Sequence, residues 1–333
     1  MSEGPVETAQ RLAAGGQVQA AIDLLQNANG GRDAVALAEL AVWYLAGTVI
    51  PRDLGQARDL FRRAVQVGHV DAALIEAALT ANGSGAPADW PGAMALLDRA
   101  ARSDPLAAEQ VDLLAAMRID ANGLPSPLPA PATPLSSSPR VELFARFCTP
   151  QECLHVASVA APMLEPATIF DPASGRMMLN PIRMSDNASI GPMHESLPVQ
   201  AINRRIASAT ATMVTQGEPL TVLRYQPGQQ YRPHLDALPN EGNQRMLTAI
   251  LYLNDGYQGG ETVFPLLDIT VTPRAGDLLV FANVDMRGAP ESQSRHAGQP
   301  VTAGTKWIAT RWIRTRPITA WELSDQARAA TRA

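Results

Sequence analysis

The sequence predicts a multidomain protein: an N-terminal all-α solenoid of helix-pair repeats, followed by an antiparallel all-β domain with flanking helices. Three observations carry this. The first third matches itself when shifted by 36 residues, a proline-rich stretch follows, and beyond residue 220 short β-rich runs alternate with turn signals. At 333 residues the chain exceeds one average core, and 46% hydrophobic content supplies apolar material for two. The expected limits are 1–120 for the repeats, 121–139 for a linker and 140–333 for the second domain.

In the repeats, Ala21-Ile22-Asp23-Leu24-Leu25 falls on Ala57-Arg58-Asp59-Leu60-Phe61 and on Ala93-Met94-Ala95-Leu96-Leu97, and Ala28, Ala64 and Ala100 coincide. Asp53 and Asp89 share the spacing and are placed to cap the helices that carry these blocks. Between them, DAVALAELAVWYLAG (33–47) and DAALIEAALTANGSG (71–85) read as partner helices ending at glycine. Small residues at the close contacts, with Leu or Phe on the apolar face, let such pairs stack. The period and the A-x-x-L-[LF] block resemble Sel-one-like repeats, relatives of the tetratricopeptide repeat. That resemblance implies a concave surface able to capture a peptide or protein partner.

Residues 122–139, NGLPSPLPAPATPLSSSP, hold six prolines without apolar periodicity, the composition of an extended, semi-stiff spacer. VELFARFCTPQECLHVASVAAPML (141–164) then reads as a short strand and a helix started at Thr149-Pro150. AINRRIASATATMV (201–214) reads as a second helix. The intervening 169–198 has four prolines and little period, and is expected to be a long loop with short strands beside the site, either a lid or a passive excursion.

Formal net charge is -5 with the 27 basic residues scattered, so no nucleic-acid footprint exists. No apolar run approaches the roughly 20 residues that span a bilayer. The start, MSEGPVETAQRLAAGG, lacks the basic and apolar regions of a secretory signal. No membrane partner is expected, and a cytoplasmic location is. Cys148 and Cys153 are too few for a disulfide framework or a structural zinc site, and are expected to pack beside the helix start.

The chemistry concentrates in His234-Leu235-Asp236, with His296 sixty residues after Asp236 and Lys306 ten further on. Two imidazoles and one carboxylate occupy three positions around a ferrous ion and leave the others open. Lys306 offers a fixed positive charge for the far carboxylate of a keto acid. The surroundings are LTVLRYQPGQQYRPHLD (220–236), RMLTAILYLND (245–255), GGETVFP (259–265), VTPRAGDLLVF (271–281) and SRHAGQPVTAGTKWIATRWIR (294–314). In that order and spacing they resemble the prolyl 4-hydroxylase branch of the iron(II) and 2-oxoglutarate dependent dioxygenases.

The resemblance implies a double-stranded β-helix, or jelly roll, with iron held by His234, Asp236 and His296. It also implies 2-oxoglutarate and O2 as cosubstrates, ascorbate as reductant, and a peptidyl proline as target. Tyr225 and Tyr252 fall where the family places cosubstrate-contacting tyrosines, with Thr248 and Thr310 as further candidates. Arg183 and Ser185 match an R-x-S element that the family uses toward substrate. Strand alternation puts Thr248, Ile250 and Tyr252 on one face, and Lys306, Ile308, Thr310 and Trp312 on one face. His69, His155 and His194 lack a partner at metal spacing, and Glu261 and Asp277 read as turn or strand-end residues. Two alternatives stay open: the same chemistry on a free amino acid or another side chain, and a catalytically silent repeat-protein adaptor.

Overall fold

The computed structural model describes residues 3–171, 176–239 and 241–323. It divides into two compact units, Met1–Gly123 with Pro192–Gln200, and Leu124–Gly191 with Ala201–Ala333. The division therefore needs more than a single cut in the proline-rich stretch. Residues 172–175, in the middle of the expected loop, and 324–333 lie outside the described residues.

The first unit is helical: α1 Pro5–Ala14, α2 Val18–Asn27, α3 Ala34–Ala46, α4 Leu54–Gln66, α5 Val70–Asn82, α6 Trp90–Ala100 and α7 Pro105–Ala116. The repeated blocks lie on α2, α4 and α6. Their equivalent residues Ala21, Ala57 and Ala93 are fully buried, as are Leu25, Phe61 and Leu97 to within 1%. A methyl at each contact lets neighbouring helices approach closely, which is why alanine recurs at that position of the period. The carboxylates of Asp53 and Asp89 accept the backbone N–H of Gln56 and Gly92, so both act as N-caps. His69 plays the same part for α5, its Nδ1 accepting from Ala72 N at 3.2 Å. Helices α3 and α5 end at Gly47 and Gly83 in the left-handed conformation, φ 68° and 76°.

One buried ion pair sits between these helices. Arg58 Nη2 reaches Glu76 Oε1 at 2.8 Å, Arg62 Nε reaches the same oxygen at 3.0 Å, and Arg58 also donates to Ser84 O. Residues 192–200 belong to this unit through two bonds on α5, from Asn82 Nδ2 to Pro192 O at 2.9 Å and from Gln200 Nε2 to Ala78 O at 3.0 Å.

The second unit begins with β1 Thr133–Ser137, β2 Arg140–Phe144 and α8 Pro150–Ala160. Strand β1 corrects the reading of 121–139 as spacer throughout, since its last third pairs with β2. It is an outermost strand, where Pro134 deprives no inner ladder of a donor. Helix α8 starts at Thr149 with a reciprocal capping box to Glu152. Cys148 and Cys153 flank that start, both buried and unbridged. Burial pushes the Cys153 thiol up to about 12, so it packs as a small apolar group.

The segment that follows carries β3 Glu165–Pro166, β4 Thr168–Asp171, β5 Arg176–Leu179 and β6 Asp186–Ile190. The short strands expected there are present, with β4 and β5 forming a hairpin and β6 entering the main sheet. Helix α9 runs Leu197–Thr210, starting four residues before the sequence places it. Pro198 lies in its first turn, where the missing N–H would have no helical acceptor anyway.

The barrel strands are β7 Leu220–Tyr225, β8 Tyr231–His234, β9 Arg245–Tyr252, β10 Gln258–Gly259, β11 Thr262–Phe264, β12 Ile269–Val271, β13 Leu278–Ala282, β14 His296–Gly298, β15 Val301–Ala303 and β16 Lys306–Arg314. With the earlier strands they form an antiparallel major sheet, β1-β2-β13-β9-β16-β7-β6-β3, and a minor sheet, β12-β11-β14-β8, while β10 and β15 pair separately. Leu223, Ile250, Leu279, Phe281 and Ile308 of the major sheet pack with Phe264 and Val271 of the minor one in a single buried cluster. This is the jelly-roll arrangement, and the cavity opens between its two sheets.

Candidate active site

Each chemically equipped residue stands at a strand end. His234 closes β8 and His296 opens β14, and the two are directly paired across the minor sheet. Asp236 follows β8 by two residues. Ligand atoms of His234, Asp236 and His296 all lie within 4.8 Å of one another. His234 Nε2 is 3.5 Å from Asp236 Oδ1, and His296 Nε2 is 3.8 Å from Asp236 Oδ2.

Both rings are oriented from behind. His234 Nδ1 is 2.8 Å from Arg232 O and His296 Nδ1 is 3.1 Å from Ser294 O. A carbonyl only accepts, so each Nδ1 carries a proton, and Nε2 is the nitrogen of each ring left to turn a lone pair toward a metal. His234 Nε2 is buried without a hydrogen-bond partner. Such an atom is costly unless a further species completes it. Tyr231 stacks on His234 with ring centroids 3.5 Å apart, and Phe281 meets His296 edge-on at 4.6 Å.

The electrostatics agree. Burial pushes His296 down to about 4, which favours the neutral, ligating form. Burial alone would raise the Asp236 carboxyl. The His234 contact, the charges of both imidazoles and the Thr248 hydroxyl outweigh it and hold the group well below the usual carboxylate range. Two imidazoles and an ionised carboxylate form the donor set expected around a ferrous ion, so the residues present fit one.

Lys306 opens β16 opposite Tyr225 of β7. It is 2% exposed, and burial lowers its ammonium to about 8. Its Nζ donates to Gly260 O at 2.6 Å and lies 5.7, 5.6 and 6.0 Å from the ring centroids of Tyr225, Tyr252 and Tyr257. The glycines of GGETVFP make this approach possible. Gly259 and Gly260 have φ 70° and 72°, and a Cβ on Gly260 would press within 3.1 Å of Lys306 Cδ. Two arginines of the same domain bond elsewhere, Arg311 Nη2 with Val214 O and Arg295 Nη1 with Pro233 O.

Strand alternation placed Lys306, Ile308, Thr310 and Trp312 on one face, and all four line the cavity with the His-Asp-His cluster. Tyr225 and Ile250 line it too. Tyr252 is fully buried beside it, its hydroxyl donating to Thr262 Oγ1 at 2.8 Å. Thr248 is not a lining residue, and its hydroxyl donates to Asp236 Oδ2 at 2.6 Å. Arg183 bonds Asn187 and lies 6.0 Å from the Tyr231 ring. Ser185 is buried nearby in sequence. His155 and His194 belong to no metal-type cluster among the described residues. Asp277 caps backbone, its two oxygens accepting from Arg146 N and Arg274 N.

Sequence reasoning missed Tyr231, Tyr257, Thr262 and Asn283. Tyr231 had a signal only in hindsight of the register, because His296 pairs with His234 and Gly298 with Tyr231. Three steps on β8 thus match two on β14, and this bulge turns Tyr231 onto the face of His234.

Residues 220–314 match the model of the 2OG-Fe(II) oxygenase superfamily. The chain is 34% identical over 199 residues to prolyl 4-hydroxylase 1 of Arabidopsis thaliana, an alignment covering 54% of this chain and 70% of that one. It resembles the structure of a viral collagen prolyl hydroxylase from Paramecium Bursaria Chlorella virus-1 in its 2OG complex, with 26% identity, TM-score 0.42, and coverage of 53% of this chain and 96% of the other. A Sel1 repeat protein from Oxalobacter formigenes matches 32% of this chain and 85% of its own at 24% identity and TM-score 0.29.

Proposed function

Because this chain belongs to the prolyl 4-hydroxylase family of the 2OG-Fe(II) oxygenase superfamily, we propose that it hydroxylates a prolyl residue of a peptide or protein. In this reading His234, Asp236 and His296 hold iron(II), and Lys306 anchors the C5 carboxylate of 2-oxoglutarate. The observation that carries it is the unpartnered Nε2 of His234, buried beside an ionised carboxylate and a second imidazole. Bound iron(II), with 2-oxoglutarate and O2, supplies the oxidation: the keto acid loses CO2 to give succinate while one oxygen atom enters a C–H bond of the substrate.

The protein's part is placement and exclusion of water. Lys306 offers an ammonium that leaves Gly260 O in part for the incoming carboxylate, an exchange of a neutral acceptor for a charged one. Tyr252 donates to Thr262, so the Thr262 proton is left to point into the cavity beside Lys306. We assign Tyr225 and Thr310, which line the same wall, to the cosubstrate as well. Leu223, Ile250 and Ile308 make the surrounding wall apolar. Tyr231 and Trp312 present aromatic faces suited to a pyrrolidine ring.

The repeats supply a separate binding surface in this account. A cavity of about 480 Å³ between α4, α5 and α6 is lined by Val65 and Leu96 together with charged side chains of both signs, Arg62, Arg99, Glu76 and Asp89, a surface suited to a segment of a protein substrate. Ascorbate is the reductant we assign after uncoupled turnover. No helix among the described residues is long and apolar enough to cross a membrane. The two unbridged cysteines fit a reducing compartment, and we assign the protein to the cytoplasm.

The test is succinate release and mass gain of one oxygen atom on a panel of peptides with and without proline. Coupled turnover confined to proline-containing peptides is expected. Coupled turnover on free amino acids alone would move the reading to a different target, and no turnover with iron and 2-oxoglutarate bound would favour an adaptor.

A further inference from the structure

Behind the Asp236 carboxylate runs a short chain of hydrogen bonds whose direction is fixed by chemistry. Thr248 Oγ1 is 2.6 Å from Asp236 Oδ2, and Asn283 Nδ2 is 2.8 Å from Thr248 Oγ1. Thr248 and Asn283 are both fully buried. An ionised carboxylate only accepts, so at that distance the single hydroxyl proton of Thr248 lies between the two oxygens. The remaining lone pairs of Oγ1 need a donor, and the amide nitrogen of Asn283 is one. An amide turned the other way would set its oxygen against a hydroxyl whose proton is already committed, so the orientation is not interchangeable.

Asn283 is itself held at both backbone groups. Its N–H donates to Met246 O at 2.9 Å and its carbonyl accepts from Glu291 N at 2.9 Å. It follows β13 directly, so the major sheet fixes where its side chain starts.

We propose that Asn283 and Thr248 are positioning residues that act as a one-way relay. Asn283 obliges Thr248 to donate to Asp236 Oδ2, which leaves Oδ1 as the oxygen offered to the metal. A carboxylate ligating through one oxygen takes one coordination position, whereas one ligating through both takes a second that a chelating keto acid and O2 need. This inference rests on reading His234, Asp236 and His296 as the ligand set. It goes beyond that reading in assigning which oxygen binds and what holds the other.

The test is titration of the full-length protein with Mn(II) in the absence of cosubstrate, with thermal melting as a check of folding. Thr248→Val keeps the shape and removes the hydroxyl, and is expected to weaken Mn(II) binding roughly ten- to a hundredfold, the range seen when partners behind a ligand are lost. Thr248→Ser, which restores the donor, should bind within about threefold of wild type on the same scale. Asn283→Asp should bind as weakly as Thr248→Val, because the new carboxylate competes for the same hydroxyl proton. If Thr248→Val does not fold, the contrast between Thr248→Ser and Asn283→Asp carries the test alone. Equal affinity in wild type, Thr248→Val and Asn283→Asp overturns the relay while His234→Ala still loses the metal. Equal affinity in wild type and His234→Ala overturns the ligand reading, and the relay with it.

Discussion

The ionisable groups buried among the repeat helices and those buried between the barrel sheets are treated in opposite ways. Between α4 and α5, Arg58 and Glu76 satisfy each other, with Arg62, Thr80 and Ser84 taking up further bonds. Between the barrel sheets, His234 Nε2 ends without a partner, and Lys306 has a backbone carbonyl where a carboxylate would be stronger. Burial costs both sets their hydration. A closed pair repays the cost within the fold and does structural work, whereas an open set is completed only by something bound.

The largest expected effect breaks the open set. His234→Ala, Asp236→Ala or His296→Ala should abolish succinate formation while the melting temperature of the metal-free protein stays near that of wild type, since apolar strands hold the barrel. Near wild-type succinate formation at limiting iron in any one of them would contradict the ligand assignment. Breaking the closed pair should do the reverse. Glu76→Ala strands the Arg58 guanidinium and should destabilise the repeats by about 3 to 5 kcal/mol. Hydroxylation of a short peptide should be unchanged in that variant, and a matching loss there would mean that the repeats contribute to catalysis itself.

An intermediate effect belongs to Lys306. Removing a charge-assisted bond worth about 1.5 to 3 kcal/mol should raise the 2-oxoglutarate KM of Lys306→Ala roughly ten- to a hundredfold, with iron affinity spared. Lys306→Arg carries the charge on a differently shaped head and should rescue in part. An unchanged KM in Lys306→Ala would mean that another group holds the carboxylate.

The smallest effect is on pH dependence. Burial lowers the folded-state Lys306 ammonium from its ordinary 10.5 to about 8, so between these values the unfolded chain binds the extra proton. Stability contributed through this group therefore rises with pH from about 8 to 10.5 and is flat on either side. Lys306→Met should lack that rise in metal-free melting curves. The 2-oxoglutarate affinity of the wild type should be constant below about pH 8 and fall above it, because the carboxylate needs the protonated form. Affinity that climbs with pH across this window would reverse the sign of the account.

The open and closed sets differ in how far the sequence reveals them. His234, Asp236, His296 and Lys306 stand in local motifs whose spacing reflects strand ends, and alternation alone put Ile308, Thr310 and Trp312 beside Lys306. The repeat period likewise exposed the buried alanines and both aspartate caps. Contacts set by register between strands were not legible. Tyr231 reaches His234 through a bulge that a period of two does not forecast, and Asn283 reaches Thr248 on the adjacent strand from a position just past the end of β13. Proline density concealed β1, because an outermost strand tolerates what an inner one does not. Closure of Arg58 on Glu76 needs the angle between two helices, which the period leaves unspecified.

The central claim is that His234, Asp236, His296 and Lys306 form one open set completed by metal and cosubstrate. Anaerobic addition of 2-oxoglutarate to the iron(II)-loaded protein, followed by visible absorption, tests it most directly. The account predicts a weak charge-transfer band in the wild type, no band in His234→Ala at any 2-oxoglutarate concentration, and a band in Lys306→Ala that needs roughly ten- to a hundredfold more 2-oxoglutarate. A band of equal strength in wild type and His234→Ala, or none in an iron-loaded wild type, would contradict it.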